Sequence, residues 1–224
     1  MKASRILVGG AVATLAIALT SCATPKVHPA VSTQPAAATA DLPPPMPVSL
    51  AQYFNDQGIY PDGAQFPSSA GVDGDGYACS SNLLSVAHWN SVPFQIGGSD
   101  RSSNVITCNG QAIALAQPGH FSKLEMLAIA VNGAQANQPF TVVYADNSTQ
   151  SFTQSLSDWA QPDDNPGELQ AVSMDYRNQS DGSKDDNTFY LYSYSFSLNP
   201  TNTLQSLKLP DNDNVKVFGL TLVP

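Results

Sequence analysis

From about residue 50 onward, apolar and polar side chains alternate with a period of two, and segment 188–198, TFYLYSYSFSL, shows this most clearly. Tyr190, Tyr192, Tyr194, Phe196 and Leu198 fall on one face of that segment. Phe189, Leu191, Ser193, Ser195 and Ser197 fall on the other, as successive side chains of a strand do. Phe140, Val142 and Tyr144 alternate with Thr141 and Val143, Asp146-Asn147-Ser148 turns the chain, and 149–155 continues as a more polar strand around Phe152. This is a hairpin pattern. Val172, Met174 and Tyr176 mark a further strand, and 204–209 and 215–223 two more, divided by the turn Pro210-Asp211-Asn212-Asp213-Asn214. Runs at 93–96, 104–108, 111–115 and 124–131 bring the total to about nine or ten strands. Past residue 50 a helical period is absent, apart from one turn at 50–54. Many short strands separated by Gly, Pro, Asn and Asp predict an all-β chain: a two-layer antiparallel β-sandwich of the jelly-roll kind. No repeat of fixed period supports a propeller or solenoid.

The first residues follow a different rule. Lys2 and Arg5 precede an apolar run over 6–19, which ends in Leu19-Thr20-Ser21-Cys22. That run is shorter than the about 20 apolar residues a membrane-spanning helix needs, so residues 1–21 are predicted to be a signal peptide. The Leu-Thr-Ser-Cys ending resembles the bacterial lipobox, whose cysteine is acylated and becomes the first residue of the mature chain. The resemblance implies lipidation of Cys22 and attachment through that lipid to a membrane of the bacterial envelope. Ala23, rather than Asp, resembles the pattern that sorts to the outer membrane in a Gram-negative cell. The alternative is an ordinary secretory peptide in which Cys22 is incidental. Residues 22–48, rich in Pro, Ala and Thr and ending near Pro43-Pro44-Pro45, lack any apolar period and read as a semi-extended tether. Residues 49–224 then form one domain.

Removing 1–21 leaves seven basic groups against eighteen acidic ones, a formal charge near −11. Nucleic acid and anionic lipid surfaces bind through clustered Lys and Arg, so neither is an expected partner. Asn, Gln, Ser and Thr are abundant, which suits uncharged ligands such as glycans. With Cys22 acylated, Cys79 and Cys108 remain, and in an oxidising compartment they are expected to be bridged; two separate buried thiols are the alternative.

Candidate chemistry is sparse. His28 lies in the tether, and neither His88 nor His120 sits in a nucleophile, metal or general-base motif. Gly97-Gly98-Ser99-Asp100 lacks the G-x-S-x-G elbow. The chain therefore does not read as an enzyme, and no cofactor is implied. Asp73-Gly74-Asp75-Gly76 offers two carboxylates to a structural Ca²⁺ in a tight turn, or simply a β-turn whose carboxylates bond backbone amides. The acidic run at 181–186 reads as a solvated loop tip. For sugars, which stack on aromatic rings and present hydroxyls to Asp, Asn, Gln and Arg, the candidates are Tyr77, Trp89, Asp158, Trp159, Tyr176 and Arg177. Each aromatic among them is also a candidate for core packing.

Several phrases occur together in order: Asp73-Gly74-Asp75-Gly76-Tyr77, Leu83-Leu84, Phe152-Thr153-Gln154-Ser155, Ser157-Asp158-Trp159, Tyr176-Arg177-Asn178, Tyr190-Leu191-Tyr192 and Leu207-Lys208-Leu209-Pro210-Asp211-Asn212. The set resembles a jelly-roll, carbohydrate-binding-like domain that bacteria append to exported glycoside hydrolases. That resemblance spans nearly all of 48–224 and implies a sandwich with a glycan-binding role. Cys79 and Cys108 depart from it, as does the lack of an accompanying catalytic domain. The expectation is a membrane-tethered, non-catalytic envelope lipoprotein that binds glycan or another extracellular polymer. The alternative is a lipoprotein that docks a protein partner in the envelope.

Overall fold

A computed structural model describes residues 43–100 and 102–224. The predicted signal peptide, Cys22 and most of the tether lie outside the described residues. In chain order the strands are β1 (Met46–Pro47), β2 (Tyr77–Cys79), β3 (His88–Trp89), β4 (Val92–Pro93), β5 (Ile106–Thr107), β6 (Ala112–Gly119), β7 (Lys123–Ala130) and β8 (Gln135–Tyr144). They continue as β9 (Thr149–Leu156), β10 (Glu168–Met174), β11 (Arg177–Gln179), β12 (Lys184–Asp185), β13 (Phe189–Ser197), β14 (Leu204–Lys208) and β15 (Val215–Val223). One short 3₁₀ turn, η1 (Ser81–Val86), was not foreshadowed by any helical period.

A six-stranded sheet runs β1-β15-β7-β13-β10, with β5 also paired to β15, and a four-stranded sheet runs β6-β14-β8-β9. Number the eight strands β1, β6, β7, β8, β9, β13, β14 and β15 from one to eight. The two layers then read 1-8-3-6 and 2-7-4-5, so the chain is a jelly roll, with β10 added at the edge beside β13. All pairings in both sheets are antiparallel. The periodicity of 188–198 accounts for the layering. Tyr192, Tyr194 and Phe196 turn inward, and the Phe196 ring lies 5.5 Å from Phe140 and 5.1 Å from Phe152 of the facing sheet. Tyr192 and Tyr194 keep their hydroxyls satisfied while buried, donating to Asp158 O at 3.0 Å and to Glu168 Oε2 at 2.6 Å.

Register gives the other face of the six-stranded sheet. Ser195 pairs with Glu125, Ser193 with Leu127 and Ser197 with Lys123, while Thr221 pairs with Glu125 and Gly219 with Leu127 across the β15 side. Phe94 closes over Gly219, where a Cβ would lie 3.2 Å from its ring and 3.7 Å from Leu127. The Thr221 hydroxyl donates to Pro93 O, which fastens the β3–β4 hairpin onto the same face. The apolar end of this face is thus covered, and the polar end around Lys123, Glu125, Ser195 and Ser197 is left open.

Two expectations require correction. The domain begins before residue 49: Met46 and Pro47 pair with Leu222 and Thr221, and Val48 is buried, so the last part of the predicted tether is the first strand of the sandwich. The Cys79–Cys108 bridge is not formed, and both are buried free thiols. Cys79 belongs to the small sheet β12-β11-β2 and donates its N–H to Gly58 O, whereas Cys108 follows β5 and donates its N–H to Val215 O. Each backbone is thus fixed by a different partner segment, and both thiols are packed into the core unbridged.

Candidate functional site

Trp159, Arg177, Tyr77 and the 73–76 turn do converge, but within the protein rather than on an exposed concavity. Trp159 is 2 % exposed. Its backbone N–H donates to Ala130 O and its carbonyl accepts from Tyr190 N–H, so the loop after β9 is stitched between β7 and β13 with the indole drawn in. There the ring packs 4.8 Å from Phe189. The Arg177 guanidinium lies 3.4 Å from the Tyr77 centroid, 4.8 Å from Phe189 and 5.6 Å from Trp159. Its Nε donates to Asp185 Oδ2 at 2.9 Å, and a terminal nitrogen sits 4.0 Å from Asp73 Oδ2. Trp159, Arg177 and Tyr77 are therefore a structural cage that joins the small sheet to the sandwich, and their assignment to ligand binding is corrected.

Asp73 does not act as half of a calcium site. Its Oδ1 accepts the N–H groups of Asp75 and Tyr77 at 2.9 and 3.3 Å, and its other oxygen faces Arg177. Burial raises its pKa, against the pull of those donors and of Arg177. Asp75 is exposed, and among the described residues no group of three or more His, Cys, Asp or Glu side chains is placed to hold a metal. Asp158 is likewise engaged within the protein, accepting the Ala160 N–H of its own loop at 2.8 Å and the Gly133 N–H of the β7–β8 turn at 2.7 Å. Tyr176 donates to Asp62 Oδ2 at 2.5 Å beneath Lys184, whose Nζ lies 3.6 Å from its ring. In each case the polar group is already engaged by protein partners, some close in the chain, as for Asp73, and some far from it, as for Tyr176 and Asp62.

Trp89 is placed differently. It stands in the β3–β4 hairpin, half-buried, beside the open polar end of the six-stranded sheet. A cavity of about 340 Å³ lies there, lined among others by Trp89, Lys123, Glu125, Leu169, Ser193 and Ser195. The floor comes from alternate residues of β7 and β13, and the Ser195 hydroxyl donates to Glu125 Oε1 at 2.9 Å. Burial pushes the Glu125 carboxyl above its ordinary pKa, while the Ser195 hydrogen bond and Lys123 pull it down. Among the described residues no basic nitrogen lies within 4.0 Å of Glu125. Its second oxygen is thus available as an acceptor. Leu169, at the start of β10, is 57 % exposed and forms an apolar rim. An indole wall, an apolar rim and a floor of hydroxyls with one carboxylate can hold an apolar ring face and read its polar edge.

The family model for the AziU2-like beta-sandwich domain matches residues 44–224. The chain belongs to that family. No curated protein matches it. The matched span starts two residues before β1 and runs to the end of β15, so the AziU2-like domain contains both the cage and the cleft.

Of the predicted ligand residues, the cleft of this AziU2-like domain keeps Trp89 and adds Lys123, Glu125, Leu169, Ser193 and Ser195. A signal for them exists in the sequence. Lys123 and Glu125 break the otherwise apolar strand KLEMLAIA, and Ser193, Ser195 and Ser197 follow Phe189 and Leu191 on the second face of 188–198, both at every second residue. Only the pairing of these two strands shows that the breaks lie side by side.

Proposed function

We propose that this chain is a membrane-anchored, non-catalytic envelope lipoprotein whose sandwich binds glycan or another extracellular polymer in the Trp89 cleft. The observation that carries this reading is the uncovered polar end of the six-stranded sheet, walled by Trp89. Hydrolysis of a glycosidic bond calls on a pair of carboxyl groups across the scissile bond, and among the described residues Glu125 is the one carboxylate lining the cleft, which favours binding. The signal-like residues 1–21 and the lipobox-like ending at Cys22 support lipid anchorage.

Binding of the full chain to an oligosaccharide array tests the cleft. Trp89→Ala is expected to abolish the signal while changing stability by no more than about 1 kcal/mol, and an array with no hit defeats the reading. Incorporation of a fatty-acid analogue that disappears in Cys22→Ala tests the anchor. The position of β10 at the end of its sheet and the exposed Leu169 favour a second reading, a protein partner docked at that edge. Under it, Leu169→Asp eliminates one crosslinked polypeptide in cells while array binding stays negative.

A further inference from the structure

We infer that the binding track continues beyond the Trp89 cleft, along β13 into a second recess at the loop end of the sandwich. The bound species is then an internal stretch of a neutral, polyhydroxylated polymer rather than a single sugar or a chain end. This rests on the glycan reading above and adds the length and charge class of the ligand.

The second recess, about 640 Å³, is lined among others by Tyr144, Gln150, Ser197, Asn199, Pro200 and Asn202. Ser195 lines the first recess and Ser197, two residues along the same face of β13, lines the second. Lys123 of the first recess pairs in register with Ser197, so the two recesses meet across one pair of residues. The edge strand β10 pairs with β13 only as far as Tyr194, which leaves Ser195 to Ser197 without a strand partner on that side among the described residues. Gln150 crosses from the facing sheet there and donates to Ser197 O at 2.9 Å. The six residue steps from Ser193 to Asn199 span on the order of 20 Å, a path suited to several linked sugar rings.

The lining of the second recess fixes the charge class. Among the described residues no Asp, Glu, Lys or Arg lines it, in a chain whose formal charge is −9, and the nearby Asp146 carboxylate is engaged by Ser148 and Asn202. Its polar groups are hydroxyls and amides, which exchange hydrogen bonds with a neutral polyol and give an ionic polymer no counter-charge. They are also held in position: the Tyr144 hydroxyl donates to Gln150 Oε1 at 2.7 Å and accepts the Asn199 N–H at 3.0 Å. Asn202 is held more loosely, with its amide nitrogen 3.2 Å from Ser148 Oγ and 3.4 Å from Asp146 Oδ2, which suits a group that turns to a ligand.

Calorimetric titration of the full chain with di- to hexasaccharide ladders of β-1,4-linked glucose, xylose and N-acetylglucosamine tests this. Affinity is expected to climb with length in the ladder that binds. Asn202→Ala is expected to lower hexasaccharide affinity by about three- to tenfold, the worth of one or two neutral hydrogen bonds, and to leave disaccharide affinity unchanged. Ser197→Arg, at an exposed position that cannot disturb the core, is expected to block the junction and make hexasaccharide bind like disaccharide. An affinity that plateaus at the disaccharide, or an Asn202→Ala effect equal at both lengths, overturns the second recess and leaves the Trp89 cleft standing. Binding by no ladder, with wild type and Trp89→Ala alike, overturns the glycan reading itself.

Discussion

The guanidinium of Arg177 lies 3.4 Å from the centroid of the Tyr77 ring, and its Nε holds Asp185 at 2.9 Å. One side chain thereby joins β2, β11 and β12, and through Phe189 and Trp159 it ties them to the sandwich. Removing it leaves Asp73 and Asp185 without their counter-charge in a largely buried setting. Arg177→Ala is expected to cost about 3 kcal/mol of stability in urea unfolding. Arg177→Lys should recover only part, because an ammonium cannot stack on Tyr77 and reach both carboxylates as the planar fork does. Sugar binding in the Trp89 cleft should survive in both variants under conditions where they remain folded.

The chain's two tryptophans separate structure from binding. Trp159 sits against Phe189 in the core, so Trp159→Ala is expected to cost about 3–5 kcal/mol. Trp89 caps an open cleft, and Trp89→Ala should change stability by no more than about 1 kcal/mol. In a Trp159→Phe variant, Trp89 is the remaining indole, and its fluorescence should shift when a cleft ligand is added. No shift with a ligand that calorimetry shows to bind would place the site elsewhere.

How far the sequence reveals this arrangement depends on the range of the interactions involved. Alternation in 188–198, 140–144 and 215–223 marks the strands, because inward and outward residues differ in polarity along one segment. The short strands β2, β3, β11 and β12 leave no such trace, since two or three residues carry no period. Trp159 looks loop-exposed in Ser157-Asp158-Trp159 and is buried because its backbone pairs with Ala130 and Tyr190, contacts at a distance in the chain. Asn104 shows the same limit: wholly buried, it accepts the N–H groups of Gly58 and Ile59 and donates to Ile59 O and Gly98 O, and only the folded chain gives a lone Asn that task. Lys123 and Glu125 are visible as polar breaks in an apolar strand, yet their role follows from lying beside Ser195 and Ser197.

Cys79 and Cys108 are expected to stay reduced and unreactive in the native chain. Burial pushes the Cys108 thiol up to about 12, and burial raises Cys79 as well, helped by the nearby Asp73 charge. The nucleophilic thiolate is therefore scarce at neutral pH. Peptide mapping after iodoacetamide treatment of native protein should find both cysteines unmodified, and after treatment in denaturant both alkylated. A peptide linking the two under non-reducing conditions would restore the bridge that the fold argues against.

Glu125 ties the cleft to acid stability. Its folded-state pKa is raised, chiefly by burial, so the ionised form is disfavoured in the native chain relative to the unfolded one. A carboxyl of this kind binds its proton more readily when folded. Its contribution therefore becomes more favourable as pH falls through the raised value, levels off below the ordinary carboxylate value, and is lost as pH rises again. Glu125→Gln removes that titration and retains the partner of Ser195. The stability of wild type minus that of Glu125→Gln, from urea unfolding between about pH 8 and pH 4, should then increase toward acid. A difference that instead falls toward acid would mean that the native chain stabilises the carboxylate. Glu125 would then hold a firm cationic contact, contrary to the open acceptor on which the cleft's recognition of hydroxyls depends.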